Sequence, residues 1–129
     1  MGEREEHMEA VKRAFQAMGR QSYEELRALL ADDVVFSGPL QPETRGADEM
    51  IAGLKKWDEA GVRTTVESVE VLGDEHKVVS LGHFRVSRDD RTFDVHPVYV
   101  IELRDGKASK ITVYTAEPEQ LQEMADLMA

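Results

Sequence analysis

The residues best suited to chemistry crowd into one stretch of the chain, where His83, Arg85, Asp94, His96 and Tyr99 fall within seventeen positions. Two imidazoles and a carboxylate are the donor types that bind a transition metal, and an imidazole is the side chain that titrates closest to neutral pH. A metal site also needs a fixed third ligand. The spacing supplies none, so no metal is expected, and His83, His96 and Tyr99 stand as candidate catalytic groups. His7 lies among charges and is expected to be solvated, while His76 shares a turn with Asp74 and Glu75. The chain has no cysteine nucleophile, no HExxH, no GxSxG and no glycine-rich phosphate loop, and no cofactor is expected.

Whether these groups meet depends on the elements that carry them. Met8, Val11, Phe15 and Met18 recur at helical spacing through residues 4–18, with Gly19 as a stop. Ser22 and Glu25 form a capping-box signature for a second helix, which buries Tyr23, Leu26, Leu29 and Leu30 and ends near Asp32. Val34–Phe36 read as a short strand, broken by Gly38 and Pro39, with a loop running to Gly46. A third helix over residues 47–60 turns Met50, Ile51, Leu54 and Trp57 inward and stops at Gly61.

From Arg63 the period changes to two. The segment TTVESVEVL slips phase at Ser68-Val69, which a β-bulge would reconcile. Residues 77–88 and 91–103 are two further strands, joined at Asp89-Asp90 so that Val86 faces Phe93, Phe84 faces Val95, Arg85 faces Asp94 and His83 faces His96. The series Phe93, Val95, Pro97, Tyr99, Ile101 and Leu103 then forms one apolar face, directed inward. This parity sends both histidines outward, and a slip of one residue would reverse it. Pro97 lacks a backbone donor and should sit at a bulge or an unpaired stretch. At RDGK, a three-residue loop with a left-handed Gly106 brings Tyr99 and Ile101 onto the face of Ile111, Val113 and Thr115. Pro118 introduces a closing helix with Leu121, Met124 and Met128.

With 129 residues, 41% hydrophobic and 33% charged, the chain is expected to form a single domain over residues 1–129. A net charge of −10 opposes phosphate backbones and anionic lipid surfaces, which argues against nucleic acid and membrane partners. No apolar run approaches a membrane span, charges interrupt the N-terminus, and cysteine is absent, so a cytoplasmic location is expected.

Two amphipathic helices, the stretch LADDVVFSGP, the helix TRGADEMIAGLKKW and four strands ending VIELRDGKASKITVYTAEP together resemble the nuclear transport factor 2-like superfamily, nearest its SnoaL-like and ketosteroid isomerase-like branches. The resemblance implies an α+β fold, a conical barrel in which N-terminal helices pack on a curved antiparallel sheet around an apolar cavity. It also implies where isomerase catalytic groups would fall: a general base at Gly38, a second acid at Pro97 and a tyrosine near Ala14-Phe15. None of these residues can take or donate the required proton. An epoxide-hydrolase-like site, with an Arg between two acids, would require Arg85 and Asp94 to face inward, against their parity.

The cavity lining does carry over by resemblance: Phe84, Val86, Val95, Tyr99, Ile111, Val113 and Thr115, with Phe36, Leu54 and Trp57 on elements that close it, and Phe15 and Pro97 alongside. Tyr99, Thr115 and the Trp57 indole are its polar handles. Such a lining suits a small hydrophobic molecule, with isomerase, cyclase or dehydratase-type proton transfer as the associated chemistry. The same side chains could instead pack on one another as core, in a non-catalytic homodimeric interaction module. In either case the superfamily implies a homodimer through the outer sheet face.

Overall fold

The computed structural model describes residues 2–38, 41–115, 123 and 126. In chain order, helices α1 (Glu3–Gly19) and α2 (Tyr23–Ala28) precede strands β1 (Leu30–Gly38) and β2 (Gln41–Arg45). Helix α3 (Ala47–Glu59) leads to β3 (Arg63–Gly73), β4 (Lys77–Arg88), β5 (Arg91–Val95), β6 (Pro97–Arg104) and β7 (Lys107–Thr115). The closing helix expected from Pro118 lies outside the described residues.

The strands form a single mixed sheet in the order β2-β1-β7-β6-β4-β3, with β5 paired to β4. It is curved and open rather than a closed barrel, and β1 runs parallel to β7 while the other pairings are antiparallel. The helices cover the inner face. Val11, Phe15, Leu26, Leu30, Val34 and Ile51 meet Val71, Val78, Phe84 and Ile101 there, each buried residue of this size contributing roughly 1.5–3 kcal/mol.

Several local features differ from the sequence expectation. Helix α1 does not stop through Gly19, which is still helical; the left-handed residue is Gln21, at φ 60°, and Ser22 N–H returns to Ala17 O at 2.8 Å. Helix α2 ends at Ala28, and Ser22 forms no side-chain cap. Leu30 belongs to β1, buried against β7 opposite Ala108, because apolar spacing alone cannot separate a short helix from a buried strand. The loop expected before Gly46 contains β2, which pairs Thr44 with Phe36 and Arg45 with Val35. His7 is buried, not solvated, on the face of α1 that meets the sheet. Its Nδ1 and the Ser80 hydroxyl oxygen are buried atoms without a hydrogen-bond partner among the described residues.

The registers that control the inner face follow expectation with one change of mechanism. Phe84 pairs with Val95, Arg85 with Asp94 and Val86 with Phe93. The β3 bulge falls at Glu67, between Val66 and Ser68, one residue before the Ser68-Val69 step expected from the pattern. His96 interrupts the strand between β5 and β6, yet Leu81 pairs with Val98 in unchanged register, so the break beside Pro97 adds no residue. At the last hairpin Arg104 pairs directly with Lys107 around Asp105 and Gly106, at φ 54° and 78°, a two-residue turn that needs positive φ at both positions. Parity is restored by a bulge at Ser109 instead of a longer loop, and the Ser109 hydroxyl donates to Glu102 O at 3.1 Å. Tyr99 thereby faces Val113, and Ile101 faces Ile111.

Candidate functional site

Helix α3 lies across the inner face of the sheet without filling the space beneath it. Glu49, Gly53 and Trp57 recur at intervals of four residues, with Met50 and Leu54 beside them, so one side of the helix forms the roof of a cavity of about 180 Å³. Phe84, Val86, Val95, Pro97, Tyr99 and Val113 form its floor, and Met18, Phe36 and Thr115 complete the sides. A second space of about 80 Å³ lies beneath α1 and α2 and shares Met18, Phe36, Met50, Leu54 and Tyr99 with the first. Gly61, at φ 85°, ends α3 by allowing Val62 N–H to reach Trp57 O at 3.0 Å, which fixes the end of the roof.

Tyr99 is the inward polar group with the most specific environment. Its ring meets Phe15 edge-on at 4.9 Å between centroids and Phe84 at 6.0 Å, while Phe15 meets Phe84 at 5.8 Å. The residue as a whole keeps some surface, but burial of its ring among these side chains pushes the phenol up to about 12. At neutral pH Tyr99 therefore holds its proton and acts as a donor, not a base.

Of the residues assigned to the lining from sequence, Phe36, Leu54, Trp57, Phe84, Val86, Val95, Pro97, Tyr99, Val113 and Thr115 border the larger cavity, and Phe15 and Ile111 border the smaller one. Met18, Thr44, Glu49, Met50, Gly53 and Thr64 also border the larger cavity and were not assigned to it from sequence, and Gly38 borders it at the position where the isomerase resemblance puts a base. Helical spacing from Trp57 points to Glu49 and Gly53, and the register of Thr64 opposite Val86 points to Thr64. Thr44 had no such signal, because its strand was not recognised.

His83 and His96 lie on the opposite face of the sheet. Their rings stack at 4.8 Å and 14°, and His83 Nε2 lies 3.0 Å from Asp94 Oδ1. That contact is the main reason the Asp94 carboxyl is held below its ordinary value, with Arg85 adding to it. Arg85 sits between Asp94 and Glu67, at 3.4 Å from each, so an Arg between two acids does exist here, but on the outer surface away from the cavity. Among the described residues no cluster of three or more His, Asp or Glu side chains is arranged to hold a metal ion.

Helices folded onto a strongly curved sheet around an apolar cavity define an NTF2-like α+β protein. Within that class the chain belongs to the SnoaL-like domain family, whose model matches residues 11–111. Solved structures of similar fold include a proposed polyketide cyclase from Xanthomonas campestris pv. campestris, with a TM-score of 0.85 at 17% identity, covering 99% of this chain and 100% of that one. An NTF2-like protein from Burkholderia xenovorans gives a TM-score of 0.79 at 24% identity and 98% coverage of both chains. An LEH-like epoxide hydrolase of M. tuberculosis gives 0.80 at 19% identity, covering 88% of this chain and 85% of that one. No curated protein matches the sequence closely enough to count as a relative.

Proposed function

We propose that this protein, acting as one domain in the cytoplasm, binds a small hydrophobic molecule in the cavity beneath α3. The observation that carries this reading is a space of about 180 Å³ lined mainly by Phe, Leu, Val, Met and Trp side chains, with Tyr99, a phenol that holds its proton at neutral pH, in its lining. Drug-sized ligands occupy pockets of roughly 300–1,000 Å³, so the fit is to a molecule of one or two rings. Gly38 and Pro97 border the same space where the isomerase resemblance would require a base and an acid. Binding is therefore the better-supported role, and in any isomerase, cyclase or dehydratase reaction Tyr99 would serve as donor to a developing oxyanion.

Trp57 is the sole tryptophan and borders the cavity, so its emission reports occupancy directly. Titration with decahydro-2-naphthol, which is transparent at tryptophan wavelengths, should give a saturable change of one-site form. An unchanged spectrum up to millimolar ligand, with no heat of binding, would remove the reading.

A second property rests on the outer face. Leu81, Val98 and Tyr114 form one row across β4, β6 and β7, and Leu72, Val79 and Val100 form the next, with Leu72, Leu81 and Tyr114 exposed by 51%, 42% and 58%. We infer that a second copy of the chain covers this patch. Sedimentation velocity should show a dimer that Leu81→Glu dissociates; a monomer at 100 µM would contradict it.

A further inference from the structure

We propose that the cavity selects uncharged or cationic apolar molecules that present an amine or hydroxyl group toward Glu49, and rejects carboxylates. The inference rests on the binding reading above and adds the chemical class of the ligand.

Glu49 is the one charged side chain that borders the cavity among the described residues. It stands in the first turn of α3, beside Asp48. Its neighbour Asp48 is held by Arg27 at 3.0 Å, but Glu49 forms no ion pair or hydrogen bond with any described residue. The mouth of an otherwise apolar space therefore carries an exposed, uncompensated carboxylate.

Among the described residues no Lys, Arg or His borders the cavity; Arg45, four residues before Glu49, is paired with Glu43 at 2.8 Å, and Lys55 lies over the Tyr23 ring. Residues 39, 40 and 116–129 contain no Lys, Arg or His, and the chain as a whole carries −10. The other groups bordering the cavity that can meet a polar ligand atom are hydroxyls and an indole N–H, which donate or accept but neutralise no charge. An anionic ligand would have to bring its carboxylate up to Glu49 or bury it against neutral donors alone, with no cation to offset its charge, and both are less favourable than placing a neutral or cationic group there. A donor group instead gives Glu49 the partner it lacks, while the apolar body of the ligand fills the space under Trp57 and Leu54. At about 6 Å in water, the difference between attraction and repulsion by one carboxylate corresponds to about tenfold in affinity.

The test is calorimetric titration at low salt with three probes sharing one bicyclic body: decahydro-2-naphthylamine, decahydro-2-naphthol and decahydro-2-naphthoate. The amine should bind at least about tenfold more tightly than the carboxylate, with the alcohol between them. Glu49→Gln should collapse the amine-to-carboxylate ratio toward unity, and so should raising the salt to 0.5 M. Three equal affinities, a preference for the carboxylate, or a ratio unmoved by Glu49→Gln would overturn the selectivity while leaving the binding pocket in place. Failure of all three probes to bind would overturn the pocket reading and this inference with it.

Discussion

Replacing Gly53 separates the fold from the cavity. Gly53 lies in the interior of α3 and borders the cavity, and a Cβ added there meets no atom within 4 Å. Alanine in a helix interior is favoured over glycine by about 0.8–1 kcal/mol, through backbone entropy and helix propensity, and nothing in the surroundings opposes the added methyl group. Gly53→Ala should therefore raise stability by about 1 kcal/mol, or about 3–5 °C in Tm for a domain of this length. Gly53→Leu keeps most of the helical gain and extends an isobutyl group from the roof. It should weaken decahydro-2-naphthol binding at least tenfold while the melting temperature stays at or above that of the parent. Scanning calorimetry and calorimetric titration on the same samples provide both numbers. A loss of 1 kcal/mol or more in Gly53→Ala would show that the space beside Gly53 is filled, and unchanged binding in Gly53→Leu would show that the ligand sits elsewhere.

Two further outcomes concern titration. The folded-state pKa of Tyr99 lies above its ordinary value, so its contribution to stability is fully present below about pH 10 and is lost as pH rises toward about 12, a change of roughly 3 kcal/mol. Absorbance at 295 nm should show Tyr99 ionising only with unfolding, and Tyr99→Phe should remove that loss; ionisation of all three tyrosines near pH 10 in the folded protein would contradict the burial of its ring. The Asp94 carboxyl is held low by His83 first and Arg85 second, so its contribution is present above its ordinary value and disappears as pH falls through the lowered one. Carboxyl NMR titration should place Asp94 below the ordinary aspartate value and show it rising in His83→Ala; no movement in that variant would refute the contact.

Most of the inner face was legible because period-two alternation is a strong constraint. Phe84, Val95, Tyr99, Ile101 and Val113 share a face in both the sequence pattern and the ladders, and that parity alone carried His83 and His96 outward. The details that escaped are those that chain pattern leaves open. Leu29 and Leu30 fit the apolar stripe of α2 equally well as helix, yet Leu29 O accepts Ala108 N–H at 3.0 Å from β7 and Leu30 is strand. Strand β2, QPETR, has no alternation and forms because the free edge of β1 is there to pair with. His7 looked solvated because acidic and basic residues surround it in sequence; its burial depends on which side of α1 meets the sheet. Thr44 reached the cavity in the same way, through tertiary placement of β2, whereas Glu49 follows from helical spacing once Trp57 is set at the cavity, so the apolar lining was readable and its polar rim only in part.

The central claim is that the space beneath α3 holds one small apolar molecule. Native mass spectrometry of the protein after brief incubation with decahydro-2-naphthol tests it most directly, with Gly53→Leu as the partner sample. A single added ligand mass on the parent, absent from Gly53→Leu, is the predicted result. Bare protein in both samples, or equal loading of both, would contradict it.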